Sequence, residues 1–534
     1  MQRWLGRVLL IAGCILPFLR LGIGEIQPWD ESLYVVRAKA CLTFGAWLDQ
    51  TQYAIGHLYS ATHPPLGVWL IAISQELFGP SPFALRLPAA LTAAAAVLLL
   101  WHLVRMFASW HAAIVAALSL ATADVFLYFS HFAQMETSLL FFAMASIEAL
   151  VYAIKCERFI WCLVSAVFLA CGLLTKFAEV LFIVPILLLL PWAFHKQNLF
   201  RFPIISLAVA LVLTAPWFLM MTARHPDYWS HVLGSLTTLS EGKYDPSALA
   251  WWYYVNRLIV GLPLIVLIPF VRRPSRFYFA SLAWLIAMLI VLQIIDTRKA
   301  HFAFLMLAPG AMLIGAAWDT ILALPQKWRA TLFAVTLCAM AWSMSEQLRL
   351  FVTHRVNWSQ VVFFPQAIVC AMLGFALAIL LWKKVKSPAR FALAFSVLLL
   401  GLALGHVLSE HDSVYEDGAG QVAAIAAIQP GKPNLIVVHH NFPHEQYAPQ
   451  LAYYTNGWTL GWLPGNTSQF LTWDSAAKST YTPDTGRDVA IVIHFWDRFN
   501  LHPAPDEPSL DSVERKFQTD FRHHQAFRSY TIYY

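Results

Sequence analysis

Apolar residues along the chain gather into long unbroken runs, and these runs predict the architecture. A membrane-spanning helix needs about 20 apolar residues, with a usual range of about 17 to 25. Runs of that kind start near residues 4, 84, 110, 137, 159, 177, 203, 251, 277, 301, 328, 362 and 389, thirteen in all. A further apolar run over 66–79 has only 14 residues and contains Gln75 and Glu76. At about 1.5 Å per residue it reaches roughly 21 Å, short of the ~30 Å hydrocarbon core. It predicts a helix lying at the membrane interface.

Polar positions between the runs set the direction. With the N-terminus inside and residues 66–79 not spanning, the inside loops hold Arg105; Lys155 and Arg158; Lys196 and Arg201; Arg272, Arg273 and Arg276; Lys327 and Arg329; and Lys383, Lys384, Lys386 and Arg390. Letting the short run span would move all of these outside, against the positive-inside rule. The run over 4–23 follows Arg3 and Arg7 and has no small-residue cleavage site after it, so it reads as a retained first span.

Thirteen spans put residues 24–65 and 224–250 in long outward loops and leave residues 409–534 as an outward tail. In that tail long apolar runs stop, and Pro, Asn, Asp, His and Gly rise. Residues 434–438 and 489–494 predict strands flanked by turn signals, and 420–428 a helix. The expectation is a mainly α polytopic membrane domain over 1–408 and a small α/β domain over 409–534. No internal repeat or low-complexity stretch is visible.

Composition agrees. The 534 residues are 59% hydrophobic and 12% charged, against about 25% charged in ordinary soluble chains. That excludes a wholly soluble enzyme, a disordered chain and a fibrous protein. The net charge of +6 is scattered in short clusters between apolar runs, a membrane-loop pattern with no nucleic-acid partner implied. Seven cysteines, most of them in apolar runs, make no disulfide framework.

Charged residues at the outer ends of spans carry the candidate chemistry, because ionisable groups at membrane depth are costly. Asp30 and Glu31 follow the first span. They fit catalytic or metal-binding carboxylates, and equally an N-cap with acidic charge in the first helical turn. Glu136 stands at the mouth of the fourth span, on the same side by topology. Two carboxylates there allow one to act as base while the other positions the acceptor. Lys176 sits in a very tight outward turn, and Arg298, Lys299 and His301 in another. Turns that short favour anion binding over mere linkage, with a phosphate at the membrane surface as ligand. Arg349 and Arg355 read as lipid-headgroup anchors. His63, before Pro64 and Pro65, could touch the same anion, though a lone histidine is more often structural. A phosphate-cradling Gly-x-x-x-x-Gly-Lys-Ser/Thr loop, an Asp-x-Asp pair and a zinc-type Cys/His spacing are all missing from the sequence.

The ordered set Trp29-Asp30-Glu31-Ser32-Leu33-Tyr34, Gly45-Ala46-Trp47-Leu48, His63-Pro64-Pro65-Leu66, Phe78-Gly79 and Arg86-Leu87-Pro88-Ala89-Ala90-Leu91 resembles the N-terminal signature of one family. These are the polyprenol-phosphate-sugar-dependent glycosyltransferases of GT-C fold, which include lipid A aminoarabinose transferases and protein O-mannosyltransferases. The likeness continues through Gln134-Met135-Glu136, Leu174-Thr175-Lys176, Ala215-Pro216-Trp217 and Thr297-Arg298-Lys299-Ala300-His301-Phe302, then Pro309. The resemblance implies that Asp30 is the essential acid of the first loop and Glu136 the second acid. It also implies that Lys176 is the lysine of a Thr-Lys-Gly motif and Lys299 a lysine of the fifth outward loop. The chain departs from the pattern at Phe177 (usually Gly), His63 (Lys in the aminoarabinose transferases), Thr62 (Glu) and Leu33 (Arg).

The resulting expectation is a bacterial inner-membrane, multi-pass glycosyltransferase with its N-terminus cytoplasmic and its C-terminal domain extracytoplasmic. Asp30, Glu136 and Glu31 form its catalytic set. Lys176, Arg298, Lys299, His63 and His301 hold the donor phosphate. The donor is a polyprenyl-phosphate sugar, and the acceptor a lipid, glycan or protein. The scheme requires no soluble cofactor and leaves a divalent metal open. The rivals are a secondary transporter, an oligosaccharide ligase or polymerase with a diphosphate-linked donor, and a non-catalytic scaffold.

Overall fold

The computed structural model of the chain describes residues 2–24, 26–27, 30–54, 58–237, 252–271, 274–294 and 300–325, with short pieces of 328–407. In the tail it describes 418–428, 434–438, 459–463, 466–472, 475–480, 489–493, 510–527 and 530–534, with isolated residues between them. The chain divides into two compact units. One comprises Met1–Leu21, Arg86–Leu348 and Phe364–Glu410; the other comprises Gly22–Leu85, Arg349–Phe363 and His411–Tyr534.

The helices, in chain order, are α1 (Gln2–Ile15), α2 (Asp30–Phe44), α3 (Leu66–Phe78), α4 (Pro82–Arg105), α5 (Trp110–Ala121), α6 (Asp124–His131), α7 (Glu136–Cys156), α8 (Phe159–Leu173), α9 (Phe177–Val180), α10 (Val184–Ala193), α11 (Arg201–Arg224), α12 (Tyr253–Gly261), α13 (Arg276–Ile294) and α14 (Leu307–Leu322). Except for α2 and α3, these build the first unit, α4 from Arg86 onward. Among the described residues, five helices are long and apolar enough to cross a membrane, or up to seven if each of two bent pairs is one span.

The bent pairs correct two continuous spans expected from the runs. Between α5 and α6 the chain turns by 59°. Thr122 Oγ1 donates back to the Leu118 carbonyl at 2.6 Å, and Asp124 opens a new helix. After α12 the turn is 102°, where Gly261-Leu262-Pro263 ends the helix and begins a 3₁₀ segment; proline cannot supply the amide that the helix needs. The runs near 328, 362 and 389 fall mostly outside the described residues, so the count of thirteen stays an expectation.

Small residues let the helices close on one another. A Cβ on Gly315 of α14 would lie 2.8 Å from Val104 of α4 and 3.0 Å from Ala116 of α5. Between α7 and α8, Ser146 Oγ donates to the Ser165 carbonyl at 3.0 Å. Between α8 and α11, Ser206 Oγ donates to the Cys162 carbonyl at 2.8 Å. Buried hydroxyls are paired in this way because apolar surroundings offer no water.

In the second unit α2 packs against α3. The short run thus forms a helix, as expected. It buries Val68, Ile71 and Ala72, exposes Ile73, Leu77 and Phe78, and stops at Gly79. That glycine adopts φ +82°, which residues with a Cβ rarely accept.

The tail forms a mixed sheet of seven described strands: β1 (Asn434–Val438), β2 (Thr459–Leu463), β3 (Asn466–Thr472), β4 (Ser475–Thr480), β5 (Ala490–Ile493), β6 (His524–Ala526) and β7 (Tyr530–Tyr533). Their order is β4-β3-β2-β1-β5-β7-β6, with β1 parallel to β2 and β5 and the other pairs antiparallel. Helices α15 (Gly418–Ala427) and α16 (Leu510–Asp520) complete it. Ala424, Ile428, Ile491, Ile493 and Ile532 share one core. The first predicted strand matches β1 residue for residue, and the second contains β5.

Candidate active site

The candidate residues of the first unit cluster at a helix start and a tight turn. Glu136 is the first residue of α7, where a carboxylate meets the positive end of the helix dipole. The turn before it is held by Arg86 of α4, which is fully buried. Its guanidinium lies 5.1 Å from the Phe132 ring centre, and its Nη1 is 3.5 Å from the Leu21 carbonyl. Lys176 lies in the three-residue link between α8 and α9, whose amides at 175 and 176 both donate to the Gly172 carbonyl at 3.0 Å.

Lys176 Nζ donates to Glu136 Oε1 at 2.6 Å and lies 3.3 Å from Glu179 Oε1. Glu136, Lys176 and Glu179 are 0%, 2% and 8% exposed. One ammonium between two buried carboxylates leaves an excess negative charge in a region of low dielectric. Glu179 was not among the sequence candidates. Its signal was its spacing, because an acid three residues after a lysine lies within its reach on a helical turn.

His301 lies in a 3₁₀ segment, Ala300–Met306, half-buried, with its ring 4.6 Å from that of Phe302. Arg298 and Lys299 lie outside the described residues, as do Arg349 and Arg355.

Asp30, Glu31 and His63 belong to the second unit. Asp30 opens α2 and is half-buried, so both readings of it, helix start and accessible carboxylate, fit its position. Glu31 is fully buried, and its Oε2 accepts the Gln27 amide at 2.7 Å. It ties down the turn that presents Asp30. His63 is half-buried, with its ring edge-on to Tyr34 at 5.9 Å. Its carbonyl accepts from Arg37 Nη2 at 2.8 Å. Arg37 also escaped the sequence reading, although a charge in an otherwise apolar stretch of α2 was its signal.

Lys39, on the same helix, donates to the Tyr453 carbonyl at 2.5 Å and sits 5.5 Å from that ring's centre. Burial lowers its pKa to about 8. No group of three or more His, Cys, Asp or Glu side chains able to hold a metal ion occurs among the described residues.

Residues 62–220, which contain His63, Glu136 and Lys176, match the family described as dolichyl-phosphate-mannose-protein mannosyltransferase. The fold matches that of ArnT from Cupriavidus metallidurans bound to undecaprenyl phosphate, with a TM-score of 0.72 over 98% of this chain and 97% of that one, at 17% identity. An undecaprenyl phosphate-alpha-4-amino-4-deoxy-L-arabinose arabinosyl transferase of Pseudomonas fluorescens is 27% identical over 338 residues, 59% of each chain. One from Pseudomonas aeruginosa is 27% identical over 336 residues, again 59% of each. The chain belongs to the polyprenol-phosphate-sugar-dependent GT-C glycosyltransferase family. It is a polytopic membrane protein of mainly α fold with a small C-terminal sheet region. The matched part spans about three-fifths of the length of those curated relatives.

Proposed function

We propose that this protein is a membrane glycosyltransferase that moves a sugar from a polyprenyl-phosphate-linked donor to a lipid, glycan or protein acceptor. The reaction takes place on the non-cytoplasmic face of a bacterial inner membrane, with the N-terminus inside and the C-terminal domain outside. The observation that carries this reading is the pair of acids at helix starts, Asp30 on α2 and Glu136 on α7, in a chain whose fold matches a transferase bound to undecaprenyl phosphate.

Asp30 accepts the proton of the acceptor hydroxyl and aligns it for in-line attack on the anomeric carbon, with inversion. The bond from that carbon to the phosphate oxygen breaks, and polyprenyl phosphate leaves with the electron pair. Lys176, Arg298 and Lys299 hold the phosphate and stabilise the charge it gains, and His63 and His301 add hydrogen bonds. Glu136 fixes Lys176, and Glu31 holds the turn before Asp30.

A radiolabelled polyprenyl-phosphate sugar supplied to membranes containing the protein tests this reading against transport. Label covalently attached to lipid, glycan or protein is the expected result. Uptake of label without attachment contradicts it.

A further inference from the structure

Arg37 is the one side chain of α2 that hydrogen-bonds both flanks of the first outward loop. It is 1% exposed. From one nitrogen, Nη2, it donates to Gln50 Oε1 at 2.9 Å and to the His63 carbonyl at 2.8 Å. Gln50 is itself fixed, because its Nε2 donates to the carbonyls of Ala46 at 2.8 Å and Trp47 at 2.7 Å. Trp69 of α3 donates to that same Trp47 carbonyl at 2.5 Å. Residues 30, 34 and 37 lie at i, i+4 and i+7, so they follow one face of α2. On that face Asp30 opens the helix, Tyr34 packs edge-on against the His63 ring and Arg37 holds the His63 backbone. A buried guanidinium is expensive unless its hydrogen bonds are met. Here it ties the segment before α3 to the helix that carries the proposed base.

We propose that Arg37 is a positioning residue that sets where His63 stands relative to Asp30, and so prepares the second unit's share of the donor-phosphate site. The proposal rests on the transferase reading above. Lysine cannot replace it fully, since an ammonium lacks the planar fork that meets two fixed acceptors.

The test uses the purified full-length protein, undecaprenyl phosphate as probe and diethyl pyrocarbonate as a histidine reagent, with carbethoxylation of His63 read by mass spectrometry. In the wild type, undecaprenyl phosphate slows modification of His63. Hydrogen bonds from a charged group are worth about 1.5–3 kcal/mol, or about 10- to 100-fold. The Arg37→Gln variant should therefore need about 10- to 100-fold more undecaprenyl phosphate for half-protection, and Arg37→Lys should recover part of the loss. Gln50→Ala, which removes one of the two acceptors and keeps the charge, should weaken protection in the same direction, and it decides the matter if Arg37→Gln does not fold. A wild-type His63 that undecaprenyl phosphate leaves unprotected overturns the donor-site reading and this proposal with it. A protected wild type whose Arg37→Lys and Gln50→Ala variants are protected equally well overturns the role of Arg37 alone.

Discussion

Lys176 Nζ stands 2.6 Å from Glu136 Oε1, inside the protein, with Glu179 as a second carboxylate at 3.3 Å. The pair joins the start of α7 to the turn after α8, so each helix fixes the other's end. A lysine engaged in this way presents less positive potential than one held ready for an anion. For Lys176 to take a donor phosphate, one carboxylate must yield its contact.

Removing the lysine strands two buried acids. Lys176→Met should lower stability by about 3–5 kcal/mol, read as a fall in the detergent unfolding midpoint. The double variant with Glu136→Gln should lose less than the sum of the single losses.

Glu179 competes with the phosphate for the same ammonium. Glu179→Gln should tighten binding of undecaprenyl phosphate roughly tenfold or more, measured by calorimetry in detergent. Unchanged or weaker binding would place the phosphate away from Lys176.

Gly172 lies under this turn, and a Cβ there would come within 2.6 Å of Val180 Cγ2. Gly172→Ala should cost about 1–3 kcal/mol by overpacking, and Val180→Ala in the same chain should restore most of it. Unfolding midpoints of the three variants check this.

Much of the fold was legible because its signals are local. Run length gives the helices of the first unit, loop charge gives their expected direction, and the apolar stretch at 434–438 is β1. Asp30, Glu136 and Lys176 were legible because acids and bases at the ends of apolar runs stand out. The two helix breaks were less visible, since a 59° bend at Thr122-Ala123-Asp124 depends on a back-bonded hydroxyl within an apolar run. Arg37 and Glu179 escaped because their meaning lies in contacts that depend on how the chain folds back. Arg37 reaches 13 residues to Gln50 and 26 to His63.

Lys39 gives a pH signature. Its folded pKa, about 8, lies below its ordinary value of 10.5. The unfolded chain therefore binds more protons between those values, and stability rises with pH across that window. Acetic anhydride should modify Lys39 half-maximally near pH 8, with peptide mapping as the readout. The Lys39→Met variant should lose the rise in stability between pH 8 and 10.5.

The central claim is that Asp30 accepts the proton of the attacking hydroxyl. Asn can open α2 as Asp does, so Asp30→Asn should insert and unfold like the wild type. Its transfer of sugar from a polyprenyl-phosphate donor, measured in proteoliposomes, should fall by about 10²- to 10⁴-fold. Transfer at close to the wild-type rate would contradict the account.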